Sequence, residues 1–448
     1  MVPRGAAAPA RRRRGRGVPH RVGRRARTGD RRGAAVPLRR PGPPGWKSGR
    51  VDTQAAPPST RLHRVALFAT STMTGFGIAS WITRTPSVRA DLGASIEAMG
   101  FVLFGLSIGS MLGILGAGVL LRRIGPKPLI LAGGALPVVG TLLVGLLAPA
   151  QLAAGVWAGL FLIGFGAGIA EIGLNVEAAA VERVIVKPVV PVLHACFSLG
   201  SVAGGIVGIA MTAARTPVVV HLPIAAGVMA ALALTAALTI RPMPRPAGDP
   251  APASVPDPAG SRRSVITLQL ALIAVITLAM AFAEGAASDW LPLLMTTDHD
   301  APEVLGSLVF TGFALAMLIG RSAGTPLVTR FGRGAVVRAC GIVGLVGVLA
   351  VVVSPTPIVT AAAAVVWGLG IALGFPLAVS AAGDHPTDGD RRVSVVATAG
   401  YVAFLVGPPA LGFLGEHLGL RLAMLVPAVL LAVTIVVARA AGVQRGAA

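Results

Sequence analysis

Residues 241–263 read RPMPRPAGDPAPASVPDPAGSRR, a stretch dense in proline and charge with no apolar run. It divides two blocks of hydrophobic sequence. Before it, mostly apolar runs fall near 62–83, 98–121, 128–147, 151–175, 195–214 and 218–240. After it, runs resume near 264–291, 303–328, 335–353, 357–382, 393–415 and 419–440. A helix crosses a bilayer with about 20 such residues. The pattern predicts an all-α polytopic membrane protein with twelve transmembrane helices in two six-helix, pseudo-symmetric halves. The halves are 61–240 and 264–448, and residues 241–263 form a cytoplasmic linker.

Composition agrees. Of 448 residues, 54% are hydrophobic and 13% charged, with a mean hydropathy of +0.77. Soluble domains carry about 25% charged residues, so an ordinary soluble enzyme is excluded. Aromatics make up 4%, with the single tyrosine Tyr401. An outer-membrane barrel needs aromatic girdles and short alternating strands, so that class is excluded too. Cys196 and Cys340 lie far apart in apolar segments and make neither a disulfide framework nor a zinc spacing.

The net charge of +21 is unevenly placed. Residues 1–60 carry +14, including Arg11, Arg12, Arg13 and Arg14, and the remainder carries only +7. The tail has no apolar run to bury and reads as disordered. It serves to orient the chain at the membrane, or belongs to a stretch that is not translated. It lacks the apolar segment and cleavage site of a signal peptide. Nucleic acid is not an expected partner.

Orientation follows from Lys and Arg. With a cytoplasmic N-terminus, the inner loops hold Arg122, Arg123, Lys127, Arg183, Lys187, Arg241, Arg245, Arg262, Arg263, Arg330, Arg333, Arg338, Arg391 and Arg392. The outer loops hold Arg84, Arg89, Arg215 and Arg421. Both termini are therefore expected inside a plasma or inner membrane.

The halves repeat at an offset of about 207–210 residues. Gly77 to Trp81 corresponds to Gly285 to Trp290, Trp157 with Gly164-Phe165 to Trp367 with Gly374-Phe375, and Arg122 to Gly125 to Thr329 to Gly332. Two linked six-span halves are the plan of a secondary transporter whose site lies between them near the midplane. Small residues four apart, such as Gly105, Gly109 and Gly113, make faces for close helix packing or for sliding.

On these residues the sequence resembles the major facilitator superfamily. The superfamily's Gly-x-x-x-Asp-Arg-x-Gly-Arg/Lys loop is matched here by Gly118, Arg123 and Gly125, with Lys127 one position past its final basic residue, and by Arg330 and Gly332 in the second half. The aspartate position is Arg122, and its second-half counterpart is Thr329, so the charge lock that the resemblance implies lacks its acid. More narrowly, Ala79-Ser80-Trp81, Asn175-Val176-Glu177, Leu193-His194-Ala195, Glu284-Gly285-Ala286-Ala287 and Gly374-Phe375-Pro376 resemble the YbjJ-like bacterial branch, related to fucose-permease carriers. That branch implies a sugar-like or small-metabolite substrate.

Ionisable side chains in spans are costly and default to functional hypotheses. Glu284, with Asp289 one turn further on, is a substrate or coupling carboxylate, or a structural ion-pair partner. Arg321 anchors an anion or a carboxylate, or snorkels to the surface. Glu171 and Asn175 share a face of span four, and His194 opens span five, so they form a proton relay or an inner-gate network. Arg84 faces the outer vestibule or a head group, and Trp81, Phe375 and Tyr401 stack on substrate or pack.

The expected function is secondary active transport of a small polar solute by alternating access, with protons as a coupling ion. Drug efflux by proton antiport is the competing transport reading, and a non-transporting membrane sensor the competing class. No enzyme is expected. Gly105-Leu106-Ser107-Ile108-Gly109 lies inside a span, whereas a nucleophile elbow needs a strand-to-helix turn. Neither a phosphate-binding loop nor a zinc-protease motif is present, so no cofactor or metal is expected. The expected partners are the small-molecule substrate and the lipid bilayer, and the chain reads as a monomer.

Overall fold

A computed structural model describes residues 58–185, 187, 189–241, 267–385 and 387–442. The expected tail up to residue 57 and nearly all of the linker lie outside the described residues. The first half contains α1 (Pro58–Ile82), α2 (Thr85–Leu92), α3 (Ile96–Ile124), α4 (Pro126–Leu147), α5 (Ala153–Ile185), α6 (Val190–Ala213) and α7 (Val218–Thr239). The second contains α8 (Leu268–Thr297), α9 (Glu303–Ser322), α10 (Gly324–Phe331), α11 (Arg333–Val353), α12 (Pro357–Ile371), α13 (Gly374–Gly383), α14 (Gly389–Leu418), α15 (Leu420–Ala423) and α16 (Leu425–Val437). Among the described residues, twelve spans are long and apolar enough to cross a membrane.

The spans alternate in direction. Pro58, Thr239 and Leu268 mark one face, here the terminal face, and Ile82, Ile96, Thr297 and Glu303 mark the opposite, distal face. Several helix starts are written locally. Ser95 caps α3 by accepting the Ala98 N–H at 3.1 Å, and Thr267 caps α8 by accepting the Leu270 N–H at 3.2 Å.

The repeat survives in the backbone. Gly125 between α3 and α4 has φ +78°, and Gly332 between α10 and α11 has φ +79°. Each ends one helix and begins the next in a conformation that costs a side chain dearly.

The glycine faces pack within a half. A Cβ on Gly109 would lie 2.3 Å from the Phe161 carbonyl oxygen, and one on Gly164 would lie 2.0 Å from that of Leu106. So α3 and α5 meet backbone to backbone, and the small residues are committed to static packing there. The halves meet along α3 with α14 and α6 with α9.

Two details differ from the sequence pattern, and a third follows it. Span four runs on to Ile185 because Ala178 and Val181 remain buried against Leu67 and Leu193. Span ten breaks at Ala372 and Leu373, so Pro376 stands in the first turn of α13, where a missing N–H costs no bond. Span eleven stays helical through Pro408 and Pro409.

Candidate functional site

Between the halves, toward the terminal face, lies a cavity of about 860 Å³. The first half supplies Pro191, His194, Phe197 and Ser198 from α6. The second supplies Leu318, Arg321 and Ser322 from α9, Thr325 and Val328 from α10, and Leu373, Phe375 and Pro376 at the α12–α13 break. Helical spacing explains the wall on α6, since His194 and Ser198 are one turn apart. The break before α13 turns Phe375 toward the same space.

Arg321 donates to Glu284 Oε1 at 3.0 Å, from the last turn of α9 to the middle of α8. Their side chains keep 43% and 28% of their exposure; Arg321 lines the cavity, and Glu284 holds it from α8. One guanidinium N–H is used, and no other Arg321 side-chain hydrogen bond forms among the described residues. The remaining donors can serve a solute. The Arg321 charge also acts on His194 across the cavity.

Glu171 is exposed although it lies mid-span, and its charge reaches the Tyr401 hydroxyl on the other half. Asn175 is half-buried one turn nearer the terminal face. No side-chain hydrogen bond or ion pair joins Glu171 to His194 among the described residues. Asp289 is half-buried on α8, about one and a half turns distal of Glu284, and pairs with no cation among the described residues.

The sequence reading missed a buried pair. His63 Nε2 on α1 lies 3.0 Å from Glu177 Oε2 on α5, with both side chains nearly inaccessible. His63 Nδ1 accepts the Arg241 N–H at 3.3 Å, which ties the end of α7 to α1. The signal was present, because both residues fall inside apolar helices, where each needs a partner.

The distal face is closed. Ser87 on α2 donates to Glu303 on α9. Ser307 donates to the Thr83 carbonyl at 3.1 Å, and Thr212 to Ser307 at 3.4 Å. At the other corner, Glu416 at the end of α14 accepts the N–H groups of Ile96 and Glu97, at 2.8 and 3.2 Å. A Cβ on Gly100 would lie 2.8 Å from the Pro408 carbonyl oxygen and 3.0 Å from Gly412 Cα.

The other expected site residues fall elsewhere. Trp81 is 1% exposed in the core and lines no solute space. Arg84 is 3% exposed at the distal closure, donating to the Thr216 carbonyl at 2.7 Å. In the two loops that resemble the superfamily pattern, Gly118 is buried, Arg123 is exposed, and Arg330 lies over the Phe331 ring at 5.2 Å. Neither arginine makes an ion pair among the described residues.

The family model of the Major Facilitator Superfamily matches residues 19–181, 192–386 and 273–445. An uncharacterized transporter, y4wD, of Sinorhizobium fredii is 29% identical over 382 residues, covering 82% of this chain and 94% of its own. An uncharacterized MFS-type transporter of Yersinia pestis is 27% identical, covering 88% of this chain and 99% of its own. Among solved structures, the nucleoside transporter NupG aligns with a TM-score of 0.61 at 13% identity, covering 84% of this chain and 98% of its own. The E. coli fucose:proton symporter FucP aligns with a TM-score of 0.59 at 17% identity, covering 86% of this chain and 98% of its own.

Proposed function

We propose that this chain, which belongs to the Major Facilitator Superfamily and is a transporter of that fold, moves a small, neutral, hydroxylated solute by alternating access with proton coupling. The observation that carries this reading is the 860 Å³ cavity between the halves, set against a hydrogen-bonded distal closure. A cavity reachable from one face and sealed at the other is one half of an alternating-access cycle.

The wall chemistry supports the solute class. Arg321 and Glu284 neutralise each other yet still offer donors and acceptors. Ser198 and Ser322 add hydroxyls, and Phe375 adds an aromatic face. Such a wall suits a sugar-like molecule. A lipophilic cation would want a larger aromatic surface. FucP, a fucose:proton symporter by its name, has the same fold.

The coupling proton is assigned to His194, which lines the cavity, with Glu284, the partner of Arg321, and Glu171 on span four. The terminal face is assigned to the cytoplasm. Of the distal arginines, Arg84 donates to the Thr216 carbonyl and Arg421 to those of Ser354 and Asp298. These charges serve the protein's own loops, which leaves the positive-inside asymmetry intact.

The test is thermal stabilisation of the purified full chain against sugars, sugar acids, amino acids and lipophilic cations. A ligand that binds the folded state alone raises its stability by mass action. Stabilisation by a neutral sugar, followed by its proton-dependent uptake into proteoliposomes, is expected. Stabilisation by lipophilic cations alone would replace this reading with drug efflux.

A further inference from the structure

We propose that a second cavity, on the distal face, binds a small zwitterion of the amino-acid type, with Arg84 and Arg215 taking its carboxylate and Asp91 and Glu303 its ammonium. This cavity lies at the opposite end of the spans from the one assigned to transport. Its chemistry does not depend on what that other cavity carries.

The distal cavity has a volume of about 500 Å³, within the range of small-molecule sites. Three segments build its wall. Arg84, Ser87 and Asp91 recur at spacings of three and four residues, which sets them along one side of α2. Arg215 and Thr216 come from the loop between α6 and α7, and Glu303 from the first turn of α9. The first two segments belong to the first half and the third to the second. The Ser87–Glu303 bond crosses between the halves at this wall.

Four charged side chains thus line one cavity, two of each sign, and no salt bridge joins any two of them among the described residues. Arg84 gives one N–H to the Thr216 carbonyl at 2.7 Å. Its Nε has no partner, although the residue is 3% exposed. A buried donor left unpaired is costly. Glu303 accepts from Ser87 at one oxygen and keeps the other. Asp91 is half-buried and Arg215 exposed, and neither side chain makes a hydrogen bond among the described residues.

Arg84, Asp91 and Glu303 feel one another's charge without touching. Burial lowers the Arg84 guanidinium from its ordinary value, and Glu303 and Asp91 restore part of the loss. Burial raises the Asp91 carboxyl, Arg84 lowers it, and Glu303 raises it again. A carboxylate drawn to the Arg84 fork would offset its burial. An ammonium between Asp91 and Glu303 would relieve their repulsion. A lone anion meets the two carboxylates, a lone cation meets the two guanidiniums, and a neutral sugar leaves all four charges uncompensated. A molecule carrying both signs answers the whole ring, and the wall discriminates against the others by repulsion.

The bound zwitterion touches α2 and the α6–α7 loop of one half and α9 of the other. Separating the halves at the distal face would take Glu303 away from Arg84 and dismantle the site. The ligand therefore binds the distal-closed form more tightly and shifts the population toward it. Occupied, the site is a brake on distal opening.

The test uses the purified full chain with Ala90→Cys on the exposed rim of the cavity, and Cys196→Ala and Cys340→Ala to remove the native thiols. The probes are glycine, β-alanine and γ-aminobutyrate, which differ in the spacing of their charges, with propionate and propylammonium as single-charge controls. At least one zwitterion should slow maleimide labelling of that cysteine at least fivefold and raise the melting temperature. The controls at the same concentration should do neither. Asp91→Asn and Arg215→Gln, at half-buried and exposed positions where the fold tolerates them, should each raise the zwitterion Kd at least tenfold. Arg321→Gln, in the other cavity, should leave it within twofold. No protection by any zwitterion, or equal protection by either control, overturns the inference. Loss of binding in Arg321→Gln but not in Asp91→Asn places the zwitterion in the transport cavity, which overturns the inference and the neutral-solute reading together. If a sugar stabilises the chain and no zwitterion does, the transport reading stands and the distal site falls.

Discussion

Arg321 and Glu284 pair at 3.0 Å between neighbouring helices of one half, with most of the guanidinium left free toward the cavity. A pair confined to one half is not broken by the rocking of the halves. On the proposed cycle it would be available to the solute in both orientations. Replacing the acid leaves Arg321 as an uncompensated charge and removes an acceptor. Glu284→Gln should raise the solute Kd at least tenfold, which is about 1.4 kcal/mol, in a thermal-shift titration. Unchanged affinity would reduce the pair to a structural one.

His63 and Glu177 make the opposite case, a buried pair away from the cavity wall. Removing His63 takes away one partner of the buried Glu177 carboxylate. His63→Leu should lower stability by about 1–3 kcal/mol, measured by unfolding in detergent, and leave solute affinity within about twofold.

Glycine substitutions should sort by what surrounds them. Gly164→Ala forces a Cβ to within 2.0 Å of a backbone oxygen and must part α3 from α5. It should cost at least about 2 kcal/mol. Gly116 has nothing within 4 Å, so Gly116→Ala should be neutral or stabilise by up to about 1 kcal/mol through helix propensity. Melting temperatures of the two variants check the contrast.

Gly100 is a cross-half contact. Gly100→Val should leave each half folded and obstruct distal closure, since the added atoms meet Pro408 and Gly412. Accessibility of engineered distal cysteines should rise, with little change in melting temperature. An unaltered accessibility would show that α3 and α14 adjust to admit the side chain.

His299, on the distal loop after α8, lies within 2.9 Å of Arg421 and 2.7 Å of Thr360 Oγ1. Burial, then the Arg421 charge, lower its pKa below the ordinary imidazole value. The neutral form is thus favoured in the folded protein. Its stabilising effect is complete above the unfolded-state pKa of about 6.5 and fades as pH falls below it. His299→Gln should flatten the loss of stability on acidification from pH 7 to 5, followed by thermal unfolding.

The architecture was legible because bilayer thickness writes itself into run length. Six runs, a polar stretch and six more runs correspond to the spans found. Glu284 and Arg321 were each marked by their cost in a span, but their pairing was not. They lie 37 residues apart on different helices, and helix rotation decides which faces meet. Trp81 looked like a stacking surface because sequence cannot tell a cavity wall from a core. The distal closure was invisible for a related reason. Glu303, Ser87 and Glu416 lie at helix ends, where charged and polar residues are ordinary, and only the docking of the halves gives them a task.

At Gly100 and Gly412 the halves touch main chain to main chain. A side chain yields by changing rotamer, but two bare backbones have one depth of approach. The seam between α3 and α14 thus works as a hard stop. On the proposed alternating-access cycle, each return to the distal-closed state would end at the same separation, whatever the cargo has done. Reproducibility of the cycle is vested in the absence of two methyl groups.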